Sequence, residues 1–158
     1  MRNRIVAVVV AAVLSAGLTV GLTVAPALAD AVYHSSHIAL LSTGATPLRS
    51  GFVENIHVNG PNVFAREIYV LNGAQPDTTY EVTLNIFALD PTCTGSPAAV
   101  VPTASITTNA AGNGRGDAVF RPSDVPAVLR HATHGIIWTV SDSSGVTFSS
   151  GCEVVTLD

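Results

Sequence analysis

Five histidines are the side chains in this sequence best suited to chemistry, and two pairs of them, His34/His37 and His131/His134, read H-x-x-H. On a helix, residues three apart share a face, so His131 and His134 would present two imidazoles to one metal ion. Neutral imidazole suits zinc or copper, and a carboxylate such as Asp124 or Asp142 is a natural third ligand. On a strand the same spacing sends side chains to opposite faces, which separates His34 from His37. His57 alternates against Ile56 and Val58 and is expected to face water. Neither H-x-H nor H-E-x-x-H occurs, so the metal signal rests on spacing alone.

Other chemistry is less marked. A nucleophilic serine needs a base and an acid beside it, yet there is no G-x-S-x-G elbow. Asp142-Ser143-Ser144-Gly145 has the composition of a four-residue hairpin loop. The 11 acidic residues single out no pair for glycoside hydrolysis, and a domain of this size leaves little room for a deep cleft. Arg115-Gly116-Asp117 spells R-G-D, a tripeptide that integrin receptors read on exposed loops, and its glycine-rich surroundings predict a tight exposed turn. In the same loop Asn109, Asn113 and Asp117 offer oxygens, without the residue order of a calcium loop. Trp138, Tyr33 and Tyr69 could stack a sugar or peptide, but Trp138 is in phase with Ile136 and Val140, which places it in the core. No residue is given a catalytic role, and no cofactor is implied.

These side chains need a scaffold, and the scaffold needs an address. Residues 1–29 carry Arg2 and Arg4, an uncharged apolar run from Ile5, and Ala27-Leu28-Ala29 as an A-x-A close, the pattern of a cleaved signal peptide. The expected product is a secreted, extracellular domain over residues 30–158. Removing the leader takes two arginines and no acidic residue, leaving five arginines against 11 acidic residues, no lysine, and a net charge of −6. That balance argues against nucleic acid and anionic membrane surfaces. The expected partner is a protein or carbohydrate, with no membrane contact after cleavage. Cys93 and Cys152 are the only cysteines. In an oxidising compartment they read as a disulfide, closing a loop of about 60 residues worth about 4 kcal/mol in chain entropy.

The clearest element spans 79–89, where Tyr80, Val82, Leu84, Ile86 and Ala88 alternate with polar neighbours, Phe87 being the exception. Similar patterning predicts strands over 32–41, 52–58, 63–71, 100–108, 117–120, 136–141 and 146–157, with Gly151 marking a bulge in the last. In 122–135, Ser123 is placed to cap one or two helical turns that Gly135 ends. Seven or eight short strands with one short helical crossover predict an all-β sandwich.

The run L-N-G-A-Q-P-D-T-T-Y-E-V-T-L from Leu71 to Leu84 resembles the L-x-P-x-T-x-Y-x-V stretch of fibronectin type III and related immunoglobulin-like domains. The resemblance implies an immunoglobulin-like β-sandwich in which Tyr80 hydrogen-bonds backbone a few residues upstream, while Val82 and Leu84 enter the core. The match covers about a tenth of the chain, which continues for more than 70 residues beyond it. Arginine without lysine, with abundant Ala, Val and Thr, is also similar to small secreted proteins of high-GC Gram-positive bacteria. These readings rank a secreted, non-enzymatic binding, adhesion or envelope-associated module first. An extracytoplasmic zinc- or copper-binding protein using His131 and His134 ranks second, and a small hydrolase third.

Overall fold

Alternation of inward and outward side chains becomes ten strands in the computed structural model, which describes residues 34–58 and 62–157. The leader expected over 1–29, and Tyr33, lie outside the described residues. The strands are β1 (His34–Ala39), β2 (Leu41–Ser42), β3 (Ser50–His57), β4 (Ala65–Asn72), β5 (Thr79–Phe87), β6 (Ala99–Thr107), β7 (Gly114–Phe120), β8 (Ala132–Asp142), β9 (Gly145–Ser149) and β10 (Glu153–Leu157). One antiparallel sheet runs β1-β3-β4-β7. The other runs β2-β9-β8-β5-β6, with β10 also paired to β8. The described residues are therefore all-β in two sheets. Among the described residues no helix is long and apolar enough to cross a membrane.

Two predicted strands divide. Residues 32–41 split at Leu40, whose side chain is buried while its amide donates to Gly51 O at 2.9 Å, so β1 joins one sheet and β2 the other. Residues 146–157 split at 150–152, where a bulge was expected. There the Ser150 hydroxyl accepts from Trp138 N–H at 3.0 Å and Ser150 N–H donates to Trp138 O at 2.9 Å. A side chain thus stands in for one ladder acceptor and hands the edge of β8 from β9 to β10.

Tyr80, Val82, Leu84 and Ile86 of β5 and Ile136, Trp138 and Val140 of β8 point into one core, opposite Val53, Tyr69 and Leu71 of the other sheet. The Tyr80 hydroxyl accepts from Gln75 N–H, five residues upstream, at 3.2 Å. Asp142 pairs with Gly145, so the β8–β9 hairpin has a two-residue turn, Ser143-Ser144, rather than four. The Asp142 carboxylate accepts the Ser144 amide and hydroxyl, and these bonds hold its pKa below the usual range.

The R-G-D tripeptide lies within strand β7, not on a turn, and Asp117 pairs with Arg66 of β4 at 3.6 Å. The tight turn comes just before it. Asn109 Oδ1 accepts from Ala111 and Asn113 N–H, and Asn113 Oδ1 from Gly73 N–H, so both side chains are spent on backbone. Gly112, at φ +72°, completes that turn where an added Cβ would lie 2.1 Å from Ala74 O.

The crossover from β7 to β8 holds two single 3-10 turns, Pro122–Asp124 and Ala127–Leu129, in place of the expected helix. Pro126 is the physical reason. It drives the preceding Val125 to extended backbone (φ −105°, ψ 111°) and breaks the helical path. Arg121, not Ser123, is the first cap, with its amide donating to the Asp124 carboxylate at 2.8 Å. His131, at φ 57°, ends the segment. His134 and Gly135 consequently belong to β8.

Candidate functional site

The crossover closes one end of the space between the sheets, and beneath it lies a pocket of about 250 Å³. Its walls are mostly apolar: Leu84 and Ile86 of β5, Val101 of β6, Phe120 of β7, Ile136 of β8 and Leu157 of β10. Val125, Pro126 and Leu129 of the crossover form its cover. The polar groups come from β3 and β4. Asn55, His57 and Glu67 line the pocket, and Asp124 joins them from the crossover.

Strand phase explains why polar groups face inward there. In β3 the buried set is Gly51, Val53, Asn55 and His57, while Phe52, Glu54 and Ile56 are half-buried on the outer face. His57 therefore points inward, against the expectation that it faces water. Val53 sits across the ladder from Tyr69, and that phase carries Asn55 in opposite Glu67 and His57 in opposite Ala65. The His57 ring meets the edge of Phe64, centroids 5.8 Å apart.

Glu67 is 3% exposed and is held from two sides. Trp138 Nε1–H donates to its Oε2 at 2.9 Å, and the Tyr69 hydroxyl donates to the same oxygen. The Tyr69 oxygen also lies 2.8 Å from Thr103 Oγ1 of β6, so the contact spans both sheets. Burial pushes the Glu67 carboxyl up to about 7, with the two donors opposing that rise. Burial first, and the Glu67 charge second, raise Tyr69 well beyond the ordinary phenol range. Asn55, also 3% exposed, has a buried Oδ1 with no hydrogen-bond partner among the described residues. An unpaired buried acceptor is costly, and this one belongs to a residue that lines the pocket.

The cover is anchored rather than loose. The Arg130 guanidinium donates to Pro122 O and, at 3.1 Å, to Val125 O, and it sits 5.5 Å from the Phe64 ring centroid. His134, fully buried, accepts from Leu89 N–H at its Nδ1 (3.2 Å). Its Nε2 therefore carries the proton and donates to Leu129 O at 2.8 Å. One imidazole thus joins β8, the loop after β5, and the pocket cover.

The residues singled out for metal binding are placed as follows. His134 has both ring nitrogens engaged within the fold, and His131 is exposed at the turn before β8. His37 is exposed on β1, its Nδ1 3.0 Å from Glu54 Oε2. Asp124 caps Arg121 and Asp142 caps its hairpin. Among the described residues no group of three or more His, Cys, Asp or Glu side chains is placed to hold a metal ion. Trp138 and Tyr69 are both fully buried, so neither offers a stacking surface. Cys93 and Cys152 form a disulfide, S–S 2.03 Å, tying the loop after β5 to the break between β9 and β10.

Asn55 and Glu67 escape a reading of sequence because strand patterning takes apolar residues as the inward set. The available signal was Tyr69 and Leu71, in phase with Glu67. No family model, no curated protein and no solved structure matches this chain.

Proposed function

We propose that this is a secreted binding module of the immunoglobulin-like type that takes one small, mostly apolar molecule into the pocket between its sheets. The observation that carries this reading is the pocket itself: apolar walls, a pinned cover, and a few convergent polar groups that include an unpartnered buried acceptor, Asn55 Oδ1. Small-molecule sites have this character, with apolar lining supplying affinity and a small polar set fixing orientation. The Tyr80–Gln75 bond supports the immunoglobulin-like assignment. The disulfide and the acidic balance support extracellular work with a neutral or cationic ligand.

Calorimetric titration of n-propylbenzene into the full chain tests the reading. One molecule per chain is expected to bind, and Ala99→Leu, which adds three carbons to the pocket wall on β6, is expected to abolish uptake while leaving the fold stable. No heat of binding to the folded wild-type chain would overturn the proposal.

A further inference from the structure

We infer that the ligand of this pocket is an apolar amine, seated with its ammonium group between Asn55 Oδ1 and the Glu67 carboxyl. The inference rests on the proposed function and names its ligand class.

Size sets the first limit. An apolar cavity of about 150 Å³ accepts a six-carbon ring, and scaling to about 250 Å³ gives a molecule of about ten heavy atoms. Polarity sets the second. The lining offers oxygen acceptors, Asn55 Oδ1, Glu67 and Asp124, and contains no lysine or arginine. Asn55 and Glu67 are directly paired on β3 and β4, so a single head group between them meets both. A hydrogen-bond donor satisfies Asn55, and a cationic donor also neutralises Glu67. A ligand with a carboxylate or phosphate head would instead place like charge beside Glu67 in a site of low dielectric.

Proton linkage follows from the same groups. With Glu67 titrating at about 7, its carboxyl is neutral in acid and supplies a counter-ion above neutrality, so an ammonium ligand binds more tightly as pH rises. Around Glu67 the other titratable groups are Tyr69 on its own strand, His57 from β3 and Asp124 from the crossover. The pocket lining from β5, β6, β7, β8 and β10 is apolar.

The test uses three probes of equal heavy-atom count, 2-phenylethylamine, 2-phenylethanol and n-propylbenzene, titrated into the full chain at pH about 5 and about 8. The amine is expected to bind roughly tenfold or more tighter than either neutral probe at the higher pH. That preference should shrink at the lower pH and be lost in Glu67→Gln. Should Glu67→Gln fail to fold, the two-pH comparison on the wild-type chain decides alone. Equal affinity for amine and n-propylbenzene, or for amine and alcohol, would overturn the amine inference while leaving the pocket reading intact. An amine preference that does not change with pH would overturn Glu67 as its counter-ion. Failure of all three probes to bind the folded chain would remove the pocket reading itself.

Discussion

Glu67 is a carboxyl group kept where its charge is expensive. Tyr69 and Trp138 offset part of that expense by donating to one oxygen, yet burial dominates and the pKa stands at about 7 against an ordinary 4.5. The sign of the linkage is unusual for an acid. Between those two values the unfolded chain gives up the proton while the folded chain keeps it, so stability is fully present below 4.5 and falls as pH rises towards 7. The difference corresponds to about 3 kcal/mol. Urea denaturation at pH about 4.5 and about 8 should therefore show a loss of that order in the wild-type chain, and Glu67→Gln should remove this component of the slope. Asn55→Leu tests the neighbouring residue. Replacing an amide whose Oδ1 has no partner with a side chain of similar size is expected to hold or raise stability by about 1 kcal/mol, read from the same denaturation curves. The location of this pair was hidden in the sequence. Ser50–His57 carries two competing phases, and Phe52 with Ile56 is the more apolar. Only pairing to β4, where Tyr69 and Leu71 face the core, decides that Val53, Asn55 and His57 go in.

At the scale of elements, the crossover between β7 and β8 does two jobs: it passes the chain from one sheet to the other and it roofs the pocket. Pro126 prevents it from coiling into a helix, so its order comes from side chains, chiefly Arg130 within the segment and His134 of β8. His134→Ala leaves Leu89 N–H and Leu129 O without partners and opens a void where a fully buried ring stood. The expected cost is about 3 kcal/mol or more, with faster amide exchange across residues 122–131 than elsewhere in the fold; unchanged exchange there would show that the imidazole does not hold the cover. The strands themselves were largely legible, because residues 79–86 of β5 and 136–140 of β8 alternate between core and outer face. The crossover was not. Ser123, Asp124 and Gly135 carry helix-end signals that local patterning cannot distinguish from the caps of two isolated turns, and H-x-x-H at 131 and 134 borrowed its meaning from that helix. Once Ala132 starts a strand, His134 turns inward and takes partners from backbone.

For the molecule as a whole, the two sheets meet across one core, and the Cys93–Cys152 bond ties together chain segments on either side of β6, β7, β8 and β9. The loop that holds Cys93 is organised beforehand. Asp90 accepts the Thr92 hydroxyl and the amides of Thr92, Thr94 and Gly95, and these bonds, the Thr92 hydroxyl first, hold its carboxyl down to about 2. Gly135 of β8 lets this loop lie close, since an added Cβ would fall 2.3 Å from Asp90 O and 2.6 Å from Cys93 Sγ. The loop is thus held by groups other than the cysteines, and in the chain-entropy account the bond's contribution falls mainly on the unfolded chain. For a sequence separation of 59 residues, the chain-entropy relation gives about 4 kcal/mol. The double variant Cys93→Ser/Cys152→Ser is accordingly expected to keep its strand content and lose about that much stability in urea. Because the pocket and its cover are built from contacts elsewhere in the sandwich, the same variant should still bind n-propylbenzene wherever it remains folded. A variant that is folded by circular dichroism yet no longer takes up the probe would show that the covalent tie shapes the binding site, and not only the stability of the chain that carries it.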